Sequence, residues 1–463
     1  MTSTRGRSRP KAAPAAVLQL PAMPLRGTGA DVPPIRVMEA ELTGALPAVP
    51  YDGRHRAVWV LARLHTEPVG ACVIQLGAHG LAPAQLAAEL WRACREPVIR
   101  RFAAAGLPEP TGLPPGGLRA DPSAWPFLRH RAEVLAAAPF ISVVICTRDR
   151  PDQLVNCLRV LEQQEYRRYE VVVVDNVPAG DAVRNMVAAR NNGVAYRYLA
   201  EPRSGLSWAR NTGVAAASGE IIAFLDDDDE PDRYWLAGLA CGFARGSDIG
   251  CVTGLVMPAR LDTPAQELFE QMGGHSKGRG CEPATFSRHG PQSPLFPLPP
   301  FGAGANMAFR REALASIGGF DVALGAGTPS LGGADSLAFT QALLTGHRIC
   351  YEPAALMRHH HRRDLDGLRR QLHSYSVGLT AFYAALLRHR PAVLPELVKL
   401  APHAAGYLRS TRTEHPAHAQ DLLAAVGRRH LRGMAMGPFA YLKSMRVQAR
   451  GAGPPAIPLE PRP

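Results

Sequence analysis

The sequence predicts an α/β fold, in which a mostly parallel sheet is flanked by helices, and three observations support this. Short, continuously apolar runs such as ISVVIC (141–146) and YEVVVVD (169–175) are typical of strands buried on both faces. Segments with helical apolar spacing lie between these runs, as in PDQLVNCLRVLEQQ. The alternation of strands with helices indicates a layered α/β domain whose strands run parallel.

The predicted elements follow one another in a simple order. VAYRYL forms a short strand, a helix spans 204–217, and EIIAFLD (220–226) forms the fourth strand of the sheet. Before the sheet, residues 56–76 predict a hairpin that turns at TEPVG, and a helix begins near Leu81. The predicted boundaries are a flexible tail over 1–34, a small α+β domain over 35–106, a linker over 107–139, the main α/β domain over 140–365, a helical C-terminal region over 366–446 and a second tail over 447–463.

Composition favours anionic small-molecule partners. The 463 residues carry a formal net charge of +12 and a pI of about 9.6, which suits phosphates or acidic lipids. Nucleic acid is not expected, because only 6% of the residues are aromatic and no basic stripe is interleaved with them. The eight cysteines are scattered without metal-binding spacing, which is typical of free thiols in a reducing cytoplasm.

No membrane span or secretory signal is expected. There is no uncharged apolar run of about 18 residues, and the basic N-terminus is interrupted by prolines. We therefore expect a cytoplasmic protein. Peripheral contact with anionic lipid at the inner face of the cell membrane stays open.

AFLDDDDEPD (223–232) places four aspartates directly after a buried strand. Ligands of parallel sheets bind beyond the carboxyl ends of the strands, where Asp175 and residues 147–150 are also expected. Crowded carboxylates repel one another unless a cation neutralises them, and Mg²⁺ and Mn²⁺ prefer oxygen ligands. Asp226 and Asp228 are predicted to divide sugar and metal binding, Asp227 and Asp229 to be supporting or solvated, and Pro231 to open the next helix. A solvated acidic turn is the alternative.

The order of motifs resembles a known family. ISVVICTRDRPDQLVNCLRVLEQQ, YEVVVVDN, GLSWARNTGVAAASGEIIAFLDDDDEPD and NMAFRREALASIGGFD are similar to those of inverting nucleotide-sugar glycosyltransferases of family 2, which have the Rossmann-like GT-A fold. The resemblance covers about residues 140–365. No P-loop and no strand–GxGxxG–helix unit is present, which fits a diphosphate bound through a metal.

The resemblance implies roles for particular residues. The nucleotide-sugar residues are Thr147, Arg150, Asp175 (base recognition), Arg210 (with Asn211 beside it), Asp226 and Asp227. Asp228 is implied to hold the Mg²⁺ or Mn²⁺ ion, as the second acid of the D-x-D pair. Helix capping is the alternative for Asp175, and helix packing is the alternative for Arg210 and Asn211.

The acceptor side is implied by LGGADSLAF (331–339). Asp335 occupies the position of the general base that deprotonates the acceptor hydroxyl in an inverting transfer. Ala334 stands where this family commonly has glutamate, which leaves acceptor positioning in doubt. The alternative for Asp335 is a helix N-cap.

Three consecutive histidines follow the strand-like RICYEPAALMR. The family often has a histidine here that reaches the metal or diphosphate, and His359 is our first choice. If the strand continues, His359 and His361 share one face and His360 lies opposite. A basic surface turn is the alternative.

The resemblance therefore implies a metal-dependent, non-processive, hexosyltransferase-like enzyme. It would transfer a sugar from a nucleoside-diphosphate sugar to a glycan or lipid-linked acceptor, in cell-surface polysaccharide, glycolipid or glycoconjugate synthesis. QLHSYS, from Gln371, lacks the Arg-Trp of processive synthases. The alternative, suggested by Ala334, is a nucleotide-sugar-binding protein with little catalysis. A nucleotidyltransferase is a weaker possibility, because CTRDRP lacks a glycine-rich loop.

Overall fold

The computed structural model describes residues 33–295, 301–400 and 417–449, together with 453, 455 and 457–459. Residues 1–32 of the first predicted tail and part of the second therefore lie outside the described residues.

The described strands are β1 (Ile35–Glu41), β2 (Ala57–Leu64), β3 (Glu67–Gln75), β4 (Ile141–Thr147), β5 (Tyr169–Asn176), β6 (Ala195–Glu201), β7 (Ile221–Asp226), β8 (Asp229–Pro231), β9 (Ile249–Pro258), β10 (Ala284–Phe286), β11 (Asn306–Arg310) and β12 (Arg348–His359). The described α-helices are α1 (Pro83–Ala104), α2 (Pro126–Ala137), α3 (Pro151–Leu161), α4 (Ala182–Ala188), α5 (Leu206–Ala216), α6 (Trp235–Ala244), α7 (Pro264–Gln271), α8 (Arg311–Ser316), α9 (Ala334–Leu344), α10 (Leu365–His389) and α11 (Ala417–Gln448).

A nine-stranded mixed sheet forms the centre of the molecule. Its order is β10-β12-β9-β11-β7-β4-β5-β6, and β8 pairs with β12. The strands β7, β4, β5 and β6 are mutually parallel, whereas β11 runs antiparallel to both of its neighbours, β7 and β9. The predicted α/β sheet flanked by helices is thus confirmed, and the parallel half carries the strand ends that hold the acidic residues.

The parallel half is stable because helices cover both of its faces. Every residue of β5 is buried, as expected for a strand without a solvent face. On one face α3 buries Leu154, Leu158 and Leu161, and on the other α5 buries Ala209 and Val214. This close packing fixes where the strands end.

The N-terminal unit is a three-stranded sheet packed against α1. β1 and β2 are parallel, and β2 and β3 form the predicted antiparallel hairpin. The turn, however, lies at His65 and Thr66, whose φ angles are 47° and 74°, so it overlaps only the first residue of TEPVG. Positive φ at both central residues is the geometry of a two-residue type I′ turn, and Glu67 already belongs to β3.

The segment predicted as a linker over 107–139 has structure of its own. It contains α2, and Trp125 immediately before this helix is fully buried. Trp125 packs edge-to-face against Phe102 of α1, with ring centroids 5.0 Å apart. The segment is therefore packed against the N-terminal unit.

The helical C-terminal region covers the end of the sheet domain. α10 packs along α11 and also against the glycine-rich turn that precedes α9. Among the residues that the structure describes, no helix is long and apolar enough to cross a membrane.

Candidate active site

The acidic loop, defined here as Asp226–Asp229, lies where the sequence predicts it, at the carboxyl end of β7. The strand register places Asp226 beside Cys146 on β4, and Thr147 beside Asp175 on β5. Three strand ends thus bring their polar side chains to one edge of the sheet. Pro231 does not open a helix, because it ends β8, which pairs with β12.

Asp227 is fixed by two donors from the end of β4. Thr147 Oγ1 donates a hydrogen bond of 2.7 Å to Asp227 Oδ2, and Arg150 Nη1 lies 3.3 Å from Asp227 Oδ1 and 3.4 Å from Asp228 Oδ2. Burial raises the pKa of Asp227, and these donors oppose that effect. The half-exposed guanidinium of Arg150 lies at the open side of the loop and is available to an anionic ligand.

Asp226 is held next to a buried arginine. Arg210 Nη2 lies 3.6 Å from Asp226 Oδ1 and donates to the carbonyl of Gly304 at 3.2 Å. Desolvation raises the pKa of Asp226 to about 6; Arg210 opposes this, while Asp228, Asp227 and Asp335 add to it. The loop is therefore poor in cations for the number of carboxylates it holds.

Asp229 is buried, so the expectation that it could be solvated is wrong, whereas a supporting role remains a prediction. Its side chain is 1% exposed, and neither carboxylate oxygen has a hydrogen-bond partner among the described residues. Burial, and then the neighbouring aspartates, raise its pKa well above the usual range. An unpartnered buried carboxylate is costly unless it is protonated or meets a cation.

A divalent cation fits this position. Asp228, Asp229 and His359 each offer one ligand atom, and these three atoms lie within 4.8 Å of one another. Two carboxylates and one imidazole are a donor set that Mn²⁺ accepts, with the remaining positions left to water and phosphate oxygens. The residues present therefore fit the implied metal.

Asp175 ends β5 as a buried acid. Tyr198 on the neighbouring strand β6 donates to Asp175 Oδ2 at 3.4 Å. Burial raises the pKa of Asp175, with the Tyr198 hydrogen bond acting against it. The side chain caps no helix, since α4 begins only at Ala182, so the helix-capping alternative is not supported.

Arg210 and Asn211 have different surroundings, although they are adjacent on α5. The guanidinium of Arg210 faces the acidic loop, as described above. The amide of Asn211 instead bonds both backbone groups of Phe320, at 2.8 Å and 2.9 Å. The packing alternative therefore describes Asn211, while Arg210 belongs to the site.

Asp335 lies in the first turn of α9, whose N-cap is Gly333. The carboxylate accepts hydrogen bonds from the backbone N–H of Gly304 at 3.1 Å and of Ser336 at 2.8 Å. It is therefore not the N-cap residue. The shared neighbour Gly304 links Asp335 to Arg210 and thus to the acidic loop.

Ala334 points away from this site. It is 3% exposed and packs in the main core, near Gly325. A glutamate here would have to bury its carboxylate or displace α9.

The three histidines are arranged on alternating sides, as predicted. His359 and His361 are buried, with their Nδ1 atoms 3.0 Å apart, whereas Nε2 of the half-exposed His360 lies 2.8 Å from Glu230 Oε1. Burial lowers the pKa of His359, which leaves its ring neutral as metal binding requires. The surface-turn alternative therefore applies to His360 alone.

Two further groups at the site were not expected from the sequence. His275 lies against His359 and His361, and the Tyr375 hydroxyl on α10 accepts from Gln371 at 2.7 Å. Although Tyr375 is 41% exposed, protein crowding around its hydroxyl, followed by the charges of Asp335 and Asp226, raises the pKa of Tyr375 to about 12. No motif marks either residue, because each belongs to a segment that reaches the site only through tertiary packing.

Comparisons with known proteins find similar sequences and a similar solved structure. Residues 142–318 match the family model of glycosyl transferase family 2. The glycosyltransferase AglE of Haloferax volcanii is 38% identical over 104 residues, which are 21% of this chain and 33% of the relative. The pre-mycofactocin glycosyltransferase of Mycobacterium tuberculosis is 28% identical over 264 residues, 56% of this chain and 52% of the relative.

A similar solved structure is the mannosyltransferase PcManGT from Pyrobaculum calidifontis in complex with GDP-Man and Mn²⁺. It is 22% identical, with a TM-score of 0.41, over 70% of this chain and 94% of that one. The chain spans between about a third and about half of the length of the two curated relatives named above.

A mixed α/β sheet with flanking helices, and with carboxylates at the ends of its parallel strands, is an architecture of the GT-A class. The family is glycosyl transferase family 2, to which the domain containing residues 142–318 belongs.

Proposed function

We propose that this chain is a metal-dependent inverting glycosyltransferase that moves a sugar from a nucleoside-diphosphate donor to an acceptor hydroxyl. The observation that carries the proposal is the acidic loop. Ligand atoms of Asp228, of the unpartnered Asp229 carboxylate and of His359 lie within 4.8 Å of one another. A loop that concentrates buried negative charge at a sheet edge needs a cation, and a donor diphosphate completes the neutralisation.

The contacts of the site residues suggest how each of them binds the donor. Asp175 recognises the base, and Thr147 supports it indirectly by fixing Asp227 beside the nucleotide. Arg150 lies at the open side, where it pairs with the diphosphate, and Arg210 orients Asp226 toward the ribose and sugar. Asp228 and His359 would hold Mg²⁺ or Mn²⁺, which when bound would supply positive charge against that of the leaving diphosphate.

Asp335 is the general base in this proposal. The acceptor oxygen bonds to the anomeric carbon as its proton passes to the Asp335 carboxylate, and the bond to the diphosphate oxygen breaks on the opposite face with its electron pair. The Gly304 and Ser336 N–H groups hold the carboxylate in one orientation. The acceptor is a glycan or a lipid-linked sugar in cell-surface polymer, glycolipid or glycoconjugate synthesis.

The test begins with donor binding. A panel of UDP-, GDP- and dTDP-sugars should raise the unfolding temperature only when Mn²⁺ or Mg²⁺ is present, because the metal links the acidic loop to the diphosphate. The donor found in this way is then incubated with acceptor extracts, and the released nucleoside diphosphate and the anomeric configuration of the product are measured. If no nucleotide sugar shifts the transition with either metal, the proposal is wrong.

A nucleotide-sugar-binding protein without catalysis is the competing function, favoured by Ala334. Since Ala334 is buried, introducing glutamate would test packing more than catalysis. Single-turnover transfer by the unmodified protein separates the two functions directly. Metal-dependent donor binding without any product would favour the binding protein.

A further inference from the structure

A second cluster of metal-binding side chains lies behind the acidic loop. His275, His359 and His361, here called the tri-histidine cluster, each offer one nitrogen, and the three nitrogens lie within 4.8 Å of one another. His359 is the last residue of β12, His361 lies two residues beyond it, and His275 comes from the turn that follows α7. The proposed sugar transfer uses only His359 of this cluster.

The hydrogen bonds of His361 define its tautomer. Its Nε2 lies 2.7 Å from Oε1 of Glu270, the last glutamate of α7. A carboxylate accepts hydrogen bonds, so Nε2 carries the proton and Nδ1 presents a lone pair. A carboxylate that fixes a histidine through the nitrogen away from the ligand is the usual outer partner of a metal-binding histidine.

The lone pair of His361 faces a second ring nitrogen. The Nδ1 atoms of His359 and His361 are 3.0 Å apart. Two nitrogens at this distance share either one proton or one metal ion. Tetrahedral coordination with bonds of about 2.0–2.1 Å places its nitrogens about 3.3 Å apart, so an ion requires a movement of only a few tenths of an ångström.

His275 supplies an independent indication of a missing ligand. Its ring centroid is 4.5 Å from that of His359, and its Nε2 is buried without a hydrogen-bond partner among the described residues. Phe269 packs edge-to-face against His275 and His361, which keeps water away from them. A buried imidazole nitrogen such as His275 Nε2 has lost its hydrogen bond to water. A ligand between the histidine rings would restore a partner to it.

The backbone holds the cluster in place. Gln266 Nε2 donates to the His361 carbonyl at 3.3 Å, which ties α7 to the end of β12. Gly273 and Gly274 have φ angles of 92° and 51°, and a side chain at Gly274 would meet Glu270 Oε1 at 2.2 Å. The glycine turn thus allows His275 and Glu270 to approach the same histidine pair.

We propose that the tri-histidine cluster binds a transition-metal ion of the class that prefers imidazole, with Zn²⁺ as the occupant. Three imidazole nitrogens leave a fourth tetrahedral position for water or a carboxylate oxygen. Glu270, Asp228 and Asp229 supply negative charge on two sides, whereas Lys277 and Arg279 are the cationic groups near His275. When Nδ1 of His359 binds this ion, its other ring nitrogen carries the proton, so His359 ligates either this ion or the ion of the acidic loop at one time.

The experiment measures metal binding by the full chain without any nucleotide sugar. The protein is stripped with a chelator and given Zn²⁺ or Co²⁺, and the retained metal is measured by mass spectrometry. Co²⁺ absorption reports the geometry. The variants are His275→Ala and, because it keeps the fold's packing, Glu270→Gln. The matched control is His360→Ala, which removes the neighbouring histidine on the opposite face.

The wild type and His360→Ala should retain one equivalent of Zn²⁺ and give tetrahedral Co²⁺ spectra. Glu270→Gln should weaken Zn²⁺ binding about 10–100-fold, and His275→Ala should weaken it at least as much. A wild type that retains no Zn²⁺, or variants that bind it as tightly as the wild type, overturns the proposal. So does a loss of Zn²⁺ in Asp228→Asn but not in His275→Ala. Since no sugar donor is present, these outcomes are independent of the proposed transferase activity.

Discussion

The two sides of the candidate site are built in different ways. On the proposed donor side, the acidic loop, Thr147 and Asp175 lie at the ends of three neighbouring strands, and strand pairing sets their relative positions. On the acceptor side, Asp335 depends on Gly304, which precedes β11, and on the turn before α9. Strand ends hold a site through many ladder hydrogen bonds, whereas loop-built sites depend on a few close contacts.

Glycine contacts set the acceptor side. A side-chain carbon at Gly378 of α10 would lie 2.9 Å from the backbone of Gly332, and one at Gly333 would lie 2.5 Å from the Gly378 carbonyl. Gly333 also has a φ of 87°, which disfavours other residues. The position of Asp335 thus depends on the close approach of α10 to Gly332 and Gly333, which have no side chains.

The largest expected effect is at Asp335, the proposed general base. Asp335→Asn should lower kcat roughly 10²–10⁴-fold, because the amide cannot take the acceptor proton. Donor binding, measured by thermal shift, should be unchanged, since the donor side is untouched. Asp366→Asn, on the exposed surface of α10, is the control. Near-normal turnover in Asp335→Asn would exclude it as the base.

Asp228→Ala tests the donor side and should lower kcat about 10²–10³-fold. The metal concentration needed for half-maximal rate should also rise, because one of its ligands is lost. Asp248→Asn, whose carboxylate is 53% exposed and pairs with Arg348, should behave like the wild type in the same metal titration. An unaltered metal dependence in Asp228→Ala would separate this residue from the cation.

Gly378→Ala tests the difference between the two sides directly. The added carbon should push α10 from the turn before α9, at a cost of about 1–3 kcal/mol in the free energy of unfolding. We expect kcat to fall while metal-dependent donor binding persists. Denaturant unfolding measures the free energy of unfolding, and thermal shift measures donor binding. Gly180→Ala, with no atom within 4 Å, is the control, and equal losses on both sides of the site would contradict the expectation.

The acidic loop predicts a pH dependence of stability in the metal-free protein. Desolvation raises the pKa of Asp226 from 3.8 to about 6. Between these values the folded protein holds a proton that the unfolded chain releases, so the contribution of Asp226 to stability falls as pH rises through about 4–6 and stays lost above it. Asp226→Asn should make the stability of the protein depend less on pH in this range.

In calorimetry with chelator present, Asp226→Asn should gain about 1–2 °C in Tm relative to the wild type between pH 4 and pH 7. Asp248→Asn should leave the wild-type slope unchanged. Parallel curves for Asp226→Asn and the wild type would show that Asp226 does not titrate in this range.

The smallest expected effect is at Tyr198, which supports Asp175. Tyr198→Phe removes one neutral hydrogen-bond donor and should raise the KM for the donor only a few-fold, as about 1 kcal/mol implies. Tyr196→Phe is the matched control, because Tyr196 lies on the same strand but bonds Asn192 and Glu162 away from the site. Equal effects in steady-state kinetics would mean that strand packing, and not Asp175, is responsible.

Much of the donor side could be predicted from sequence, because continuous apolar runs such as YEVVVVD and EIIAFLD locate strand ends directly. The burial of Asp229 could not, since β8 is only three residues long and pairs with β12, more than a hundred residues later. His275 and Tyr375 were missed for the same reason: each reaches the site through tertiary packing.

The contacts of the N-terminal sheet affect whether the nine-stranded sheet can be produced without it. Trp59 and Leu61 of β2 share the main core with Leu255 and Leu261, and Arg63 donates to Asp232 at 2.6 Å, three residues after the acidic loop. Arg56 pairs with the buried Glu267 of α7.

A shortened protein that starts at residue 140, near the start of the family match, would therefore expose apolar core surface. It would also leave Glu267 buried without its counter-ion, which costs about 3–5 kcal/mol when one partner of such a pair is removed. We therefore expect the nine-stranded sheet and the N-terminal unit to unfold together, and the sheet expressed alone to aggregate.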